Sequence, residues 1–268
     1  MSVLVASDLD GTLLYSARSS ALAAAALTCV ERIDGVPAGF MTDAAAAGLA
    51  RLAEHTTFVP VTSRSPEQLS RVALPGSRYA VAANGGLLLV DGVAEPSWSA
   101  AVAARLTGAA LDEVWRHVAG ACLPQWTAAL RNVADLFCYA VVRAESLPSG
   151  FVAEESAWAA ERGWRVSAQG RKLYWVPHQL TKGAAVAEIA RRVDAEAVLA
   201  AGDSLLDLDL LTGADLGIRP RHGELAAAGW TAPHVAVTAG VGALAGEQIV
   251  EWFAAARLPP PRADSAVC

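Results

Sequence analysis

The sequence predicts an α/β protein in which a parallel sheet covered by helices is interrupted by an α+β insert. Short, almost wholly apolar, β-branched runs alternate with alanine-rich helical patterns. Strands apolar on both faces are what a sheet covered by helices on both sides requires. Between Gly85 and Val176 the pattern changes, and a helix-strand-strand order occurs twice. The chain has 268 residues, 54% hydrophobic and 18% charged, which is enough apolar material for a substantial core and unlike a disordered chain.

Taken in order, Val3–Ser7 is the first buried strand. Residues 15–57 read as loop and helix, ending in a helix over Asp43–Glu54 that Thr42 or Asp43 can cap. Phe58–Thr62 is a strand, and Pro66–Val72 a helix with Ser65 as its cap and proline at its first position. Tyr79–Ala83 is a strand. In the insert, Leu87–Val90 reads as a hairpin strand and Ser99–Ala119 as one long helix. Ala128–Val133 and Phe137–Arg143 form an antiparallel pair, Gly150–Arg162 a helix, and Trp164–Ala168 and Lys172–Val176 a second pair across Gly170. The parallel pattern then resumes with helices Lys182–Val193, Leu206–Thr212 and Val241–Ala256 and strands Ala197–Ala201, Leu216–Ile218 and His234–Val237. The expected division is a core of 1–85 and 177–258, an insert of 86–176, and a loose proline-rich tail of 259–268.

Net charge is −6 with no basic run, which argues against nucleic acid as a partner. No apolar stretch reaches the roughly 18–20 residues that span a bilayer, and the first residues lack the basic-then-apolar pattern of an export signal. The four cysteines, Cys29, Cys122, Cys138 and Cys268, form no CxxC pair, so neither a zinc site nor a disulfide framework is expected. A reducing cytoplasm is the expected compartment. Oligomeric state has no signature in the sequence.

Parallel α/β sheets bind ligands at the carboxyl ends of their strands. Those ends carry Asp8-Leu9-Asp10-Gly11-Thr12, Thr62-Ser63-Arg64 and Gly202-Asp203-Ser204 with Asp207 following, and a helix opens at Thr181-Lys182-Gly183. Clustered carboxylates cannot all ionise without a cation, and hard oxygen ligands suit Mg²⁺. A carboxylate is also a competent nucleophile toward phosphorus, and a second acid two residues on can protonate a leaving alkoxide. Thr62 and Lys182 can hold phosphoryl oxygens. A lysine at a helix start opposes the macrodipole, so a nearby anion explains Lys182 better than a solvated surface charge.

DLDGTLL, VTSR, TKG and GDSLLD, in this order, resemble the four motifs of the haloacid dehalogenase (HAD) superfamily of aspartyl-phosphate phosphatases. ANGG at Ala83–Gly86 resembles a step found in its large-cap branch, which includes Cof-type, sucrose-phosphate, trehalose-phosphate and mannosyl-3-phosphoglycerate phosphatases. The resemblance covers residues 1–85 and 177–250; the insert matches only in position and element order. It implies a Rossmann-like core with an inserted cap domain and a Mg²⁺-dependent phosphatase acting on a small soluble phosphate monoester. Asp8 would be the nucleophile and Asp10 the general acid and base. Thr62, Ser63 and Lys182 would bind the phosphoryl group. The metal would be held by Asp8, the Asp10 backbone carbonyl and Asp203, with Asp207 near. Arg64, Arg171 and Lys172 are candidate substrate contacts, with the alternative that each is an ordinary exposed charge. One departure is Leu206, where many large-cap members have asparagine.

Two other functions stay open: a non-catalytic phosphate- or metal-binding regulatory module on the same fold, and a phosphosugar mutase. Asp209 is expected to face solvent and Asp215 to be a turn acid. The tryptophans of the insert are expected to pack its core, and His117, His178, His222 and His234 to be structural, with His55 at a helix end.

Overall fold

The computed structural model describes residues 2–20 and 27–256; the expected tail 259–268, with Cys268, lies outside the described residues. Along the chain, β1 (Val3–Ser7) is followed by a hairpin of β2 (Leu27–Ile33) and β3 (Val36–Thr42), α1 (Asp43–Ala53), β4 (Thr57–Pro60), α2 (Pro66–Leu69) and β5 (Tyr79–Ala82). The middle contains β6 (Leu87–Val90), β7 (Val93–Ala94), α3 (Pro96–Arg105), α4 (Leu111–Ala121), β8 (Thr127–Val133), β9 (Phe137–Val142), α5 (Phe151–Ala160), β10 (Trp164–Gln169) and β11 (Lys172–Pro177). The chain returns through α6 (Lys182–Arg192), β12 (Ala197–Ala201), α7 (Leu208–Gly213), β13 (Leu216–Arg219), α8 (Glu224–Ala227), β14 (Val235–Val237) and α9 (Ala243–Ala255).

The central sheet has five strands in the order β14-β13-β12-β1-β4, all parallel. β1 lies in its middle, which explains why Leu4, Val5 and Ala6 are buried on both faces. β5 continues this edge, since Val61 bridges Val81 and Thr62 N–H donates to the Val81 carbonyl. The insert forms a separate antiparallel sheet, β10-β11-β9-β8, backed by α4 and α5. Its tryptophans pack as expected. Trp98 Nε1 donates to Gly85 O, Trp164 Nε1 to Ala109 O and Trp175 Nε1 to Glu155 Oε2, each at 2.9 Å. Among the described residues no helix is long and apolar enough to cross a membrane.

Two local expectations are corrected. The predicted helix over Ser99–Ala119 is two helices, α3 and α4. The break exists because the chain at Ala109 pairs with another segment: its N–H donates to Arg162 O and its carbonyl accepts from Trp164. The interval 15–57 is not loop and helix alone, because it contains the β2–β3 hairpin. Asp34 and Gly35 at its turn both have positive φ, 49° and 80°, the geometry that an Asp-Gly dipeptide favours between strands.

Candidate active site

β1 ends at Ser7, level with Pro60 of β4 and Ala201 of β12, so the residues that follow each strand emerge at one edge of the sheet. Asp8, Asp203 and Asp207 meet there as buried acids, and one carboxylate oxygen from each lies within 4.8 Å of the others. Lys182, the first residue of α6, reaches between them, with Nζ 2.6 Å from Asp8 Oδ1 and 2.5 Å from Asp207 Oδ1. Thr12 Oγ1 lies 3.3 Å from Asp8 Oδ2 and 3.5 Å from Asp203 Oδ1.

Charge balance explains the electrostatics. Three buried carboxylates face one buried ammonium. Burial, only partly offset by Lys182, pushes Asp8 up to about 7, with Asp207 and Asp10 adding to the rise. Burial and the charges of Asp8 and Asp207 hold Asp203 well above its ordinary range. Burial acts against the Lys182 charge, but Asp207 and Asp8 outweigh it and keep the ammonium charged. This surplus of buried carboxylate, all hard oxygen, fits a divalent cation such as Mg²⁺.

The four acids differ in what occupies their oxygens. Asp207 is fully engaged, because Oδ2 accepts from Asp203 N–H, Ser204 N–H and Ser204 Oγ while Oδ1 meets Lys182. Asp207 thus orients the lysine and the Asp203 loop. Asp10 points elsewhere. Its carboxylate accepts from Arg64 Nε and Nη2 at 2.8 Å each, and Lys172 Nζ lies 4.0 Å from Oδ2. Burial would raise Asp10, but the Arg64 hydrogen bonds, with Lys172 adding, hold it well below the usual carboxylate range.

Thr62 accepts the Arg64 N–H at 3.2 Å, and Ser63 Oγ lies 3.4 Å from Tyr174 Oη of β11, so the loop after β4 is tied to the insert. A cleft of about 650 Å³ opens beside this edge, lined among others by Asp10, Tyr15, Gln169, Lys172, Asp203 and His222. Lys172 therefore faces the site, whereas Arg171 is exposed at the β10–β11 turn and does not line the cleft. Leu206 is fully buried in the apolar core.

Several contributors were not anticipated. Glu31, from the unpredicted hairpin, binds the outer edge of Arg64 at 2.6 Å and 3.0 Å. His222 Nε2 donates to Gly11 O at 3.0 Å, which holds the loop after β1. Glu224 of α8 accepts from Ser167 Oγ at 2.6 Å and Ala168 N–H at 2.7 Å on β10, joining core to insert. Asp209 corrects the expectation that it faces solvent, since its Oδ2 accepts the Gly183 N–H and fixes the start of α6 beside Lys182. Asp215 does sit at a strand entry, where it accepts from Val198 N–H.

Neither a family model nor a curated protein matches the sequence. Solved structures do match in fold. The sucrose-phosphatase of Synechocystis sp. PCC6803, in complex with sucrose and phosphate, aligns with a TM-score of 0.63 at 15% identity, covering 95% of this chain and 99% of that one. The C-terminal domain of a Candida albicans trehalose-6-phosphate phosphatase gives 0.56 at 13% identity, over 95% and 92%. A haloalkanoate (HAD) superfamily phosphatase from Bacteroides thetaiotaomicron gives 0.54 at 14%, over 95% and 96%. The chain therefore has the fold of HAD superfamily phosphatases: a parallel α/β core with an inserted α+β unit.

Proposed function

We propose that this chain is a Mg²⁺-dependent phosphatase that hydrolyses a small phosphate monoester, a sugar phosphate or related metabolite, through a phosphoaspartate on Asp8. The observation that carries this reading is the Lys182 bridge from Asp8 to Asp207 beside a third buried acid, Asp203, at the mouth of a cleft. Such an arrangement pairs a nucleophile with charge stabilisation, which is most of what phosphoryl transfer asks of a protein. The solved sugar-phosphate phosphatases of the same fold support the substrate class.

Mg²⁺ held by Asp8, the Asp10 backbone carbonyl and Asp203 would supply Lewis-acid polarisation of the phosphoryl oxygens. An oxygen of Asp8 attacks phosphorus, the bond from phosphorus to the ester oxygen breaks, and Asp10, which for this step leaves Arg64 and takes up a proton from solvent, gives that proton to the leaving alkoxide. Asp10 then takes a proton from water, whose oxygen attacks phosphorus. The bond to Asp8 breaks and inorganic phosphate leaves. Thr62 and Lys182 hold the transferred group, with Ser63 placing the loop against Tyr174. Residues 86–176 act as a cap over the core of 1–85 and 177–258. The free cysteines among the described residues and the lack of a basic run in the sequence suit a cytoplasmic protein acting on small molecules.

The test is release of inorganic phosphate from a panel of phosphate esters, with Mg²⁺ and with EDTA. Turnover that needs Mg²⁺ supports the reading. Well-folded protein that turns over no ester overturns it.

A further inference from the structure

Arg64 lies between two carboxylates. One edge of its guanidinium takes Asp10 through Nε and Nη2, and the other takes Glu31 through Nη1 and Nη2. Both contacts are the paired, forked kind that fixes the plane of the group as well as its position. Glu31 is only 5% exposed, so its charge is withdrawn from water and committed to this one partner.

The hairpin is built to deliver it. The pairing of β2 with β3 is irregular on both sides of Glu31, and a bulge of this kind re-aims a side chain. Its cross-strand neighbour is Gly39. A Cβ on Gly39 would lie 2.9 Å from both Glu31 Cβ and Glu31 Oε2, so the side chain passes where only glycine leaves room. Glu31 also bridges Val72, past the end of α2, which ties the hairpin to the segment that follows Arg64.

Asp10 needs such support. Its side chain is 35% exposed, and without a fixed partner it has two soft torsions. Arg64 by itself is a long, flexible stem whose charge can be drawn toward any anion in the cleft. Anchoring its far edge removes that freedom. We infer that Glu31 is a positioning residue for the reaction: by clamping Arg64 from behind, it fixes where the ionised Asp10 carboxylate stands when it takes the proton of the attacking water. The inference rests on the hydrolase reading for its kinetic consequence, and on the clamp geometry alone for its structural one.

The experiment uses the full chain as wild type, Glu31→Gln, Arg64→Ala and the double variant, with thermal melts confirming that each is folded. Misplacing a reacting group by about 1 Å can cost on the order of 100-fold, so Glu31→Gln is expected to lower kcat on an aryl phosphate by roughly 10- to 100-fold, with KM within about twofold. In the Arg64→Ala background the same change is expected to alter kcat by less than about twofold, since two residues acting as one unit are not additive. A second readout is free of activity: ¹⁵N NMR should resolve separate, slowly rotating Nη signals for Arg64 in wild type that merge in Glu31→Gln. Unchanged kcat in Glu31→Gln, an equal loss in both backgrounds, or an unchanged Arg64 spectrum each overturns the clamp. Wild-type protein that turns over no ester would sink the hydrolase reading instead, and the NMR would still decide the geometry.

Discussion

Lys182 and Asp8 stand 174 residues apart in sequence and 2.6 Å apart in space, both buried. Two charges withdrawn from water together are tolerated when each satisfies the other, and removing one leaves the other stranded. Lys182→Ala is therefore expected to lower kcat by about 100- to 1000-fold through lost transition-state stabilisation. It should also lower the melting temperature, because Asp8 and Asp207 lose their shared cation. Steady-state kinetics and circular dichroism melts check both. A variant with normal kcat would remove Lys182 from the machinery.

Lys172 and Arg171 are neighbours with different surroundings. Lys172 lines the cleft 4.0 Å from Asp10, and Arg171 is exposed at the turn. Lys172→Ala is expected to change KM or kcat by roughly tenfold, whereas Arg171→Ala should stay within about twofold. Kinetic constants on two esters of different size measure this. A large effect of Arg171→Ala with none from Lys172→Ala would invert the placement.

The acid cluster makes stability and metal affinity depend on pH. Burial raises Asp8 to about 7 and raises Asp203 as well. A raised acid binds more protons when folded than unfolded, so metal-free protein is expected to lose stability as pH climbs from about 4 through about 7. Lys182 stays charged throughout this window and Asp10 stays ionised, so neither reverses the trend. Mg²⁺ binds the ionised cluster and releases protons as it does so, so its gain in melting temperature should be larger near about pH 8 than near about pH 5.5. Calorimetric scans in EDTA and in Mg²⁺ would show it. An equal gain at both pH values would place the metal elsewhere.

Glu224 binds two groups of β10 and also accepts the Leu205 N–H at 3.0 Å, next to the Asp203 loop. Hydrogen bonds to a charged group contribute about 1.5–3 kcal/mol, so Glu224→Ala should loosen the insert against the core by that order. Hydrogen exchange at Ala168 is the reporter. Protection unchanged from wild type would mean that β10 is held by other contacts.

Much of the architecture was legible because its signals are local. β1 and β12 have the predicted limits, as both are mostly apolar runs followed within two residues by an acid. Ser65 caps α2 as its sequence suggested, and Gln68 returns the bond. What escaped depends on distant pairing. The break between α3 and α4 is set by Arg162 and Trp164, more than 50 residues away. The β2–β3 hairpin carried one local signal, Asp34-Gly35 between β-branched residues, that competed with an alanine-rich segment beside it. Glu31 carries no local signal of its role, since only the hairpin pairing and its bulge turn it inward. Asp209 looks like the polar face of a helix until Gly183 is brought against it.

The most direct test of the account is to trap the covalent state on Asp8. Protein turning over a phosphate ester in Mg²⁺ would be quenched in acid and reduced with borohydride, which converts an acyl phosphate to an alcohol, and the peptide spanning residues 3–14 sequenced by mass spectrometry. The account predicts homoserine at position 8, dependent on substrate and absent from Asp8→Asn. Turnover that leaves Asp8 unmodified, or that modifies a different carboxylate, would contradict it.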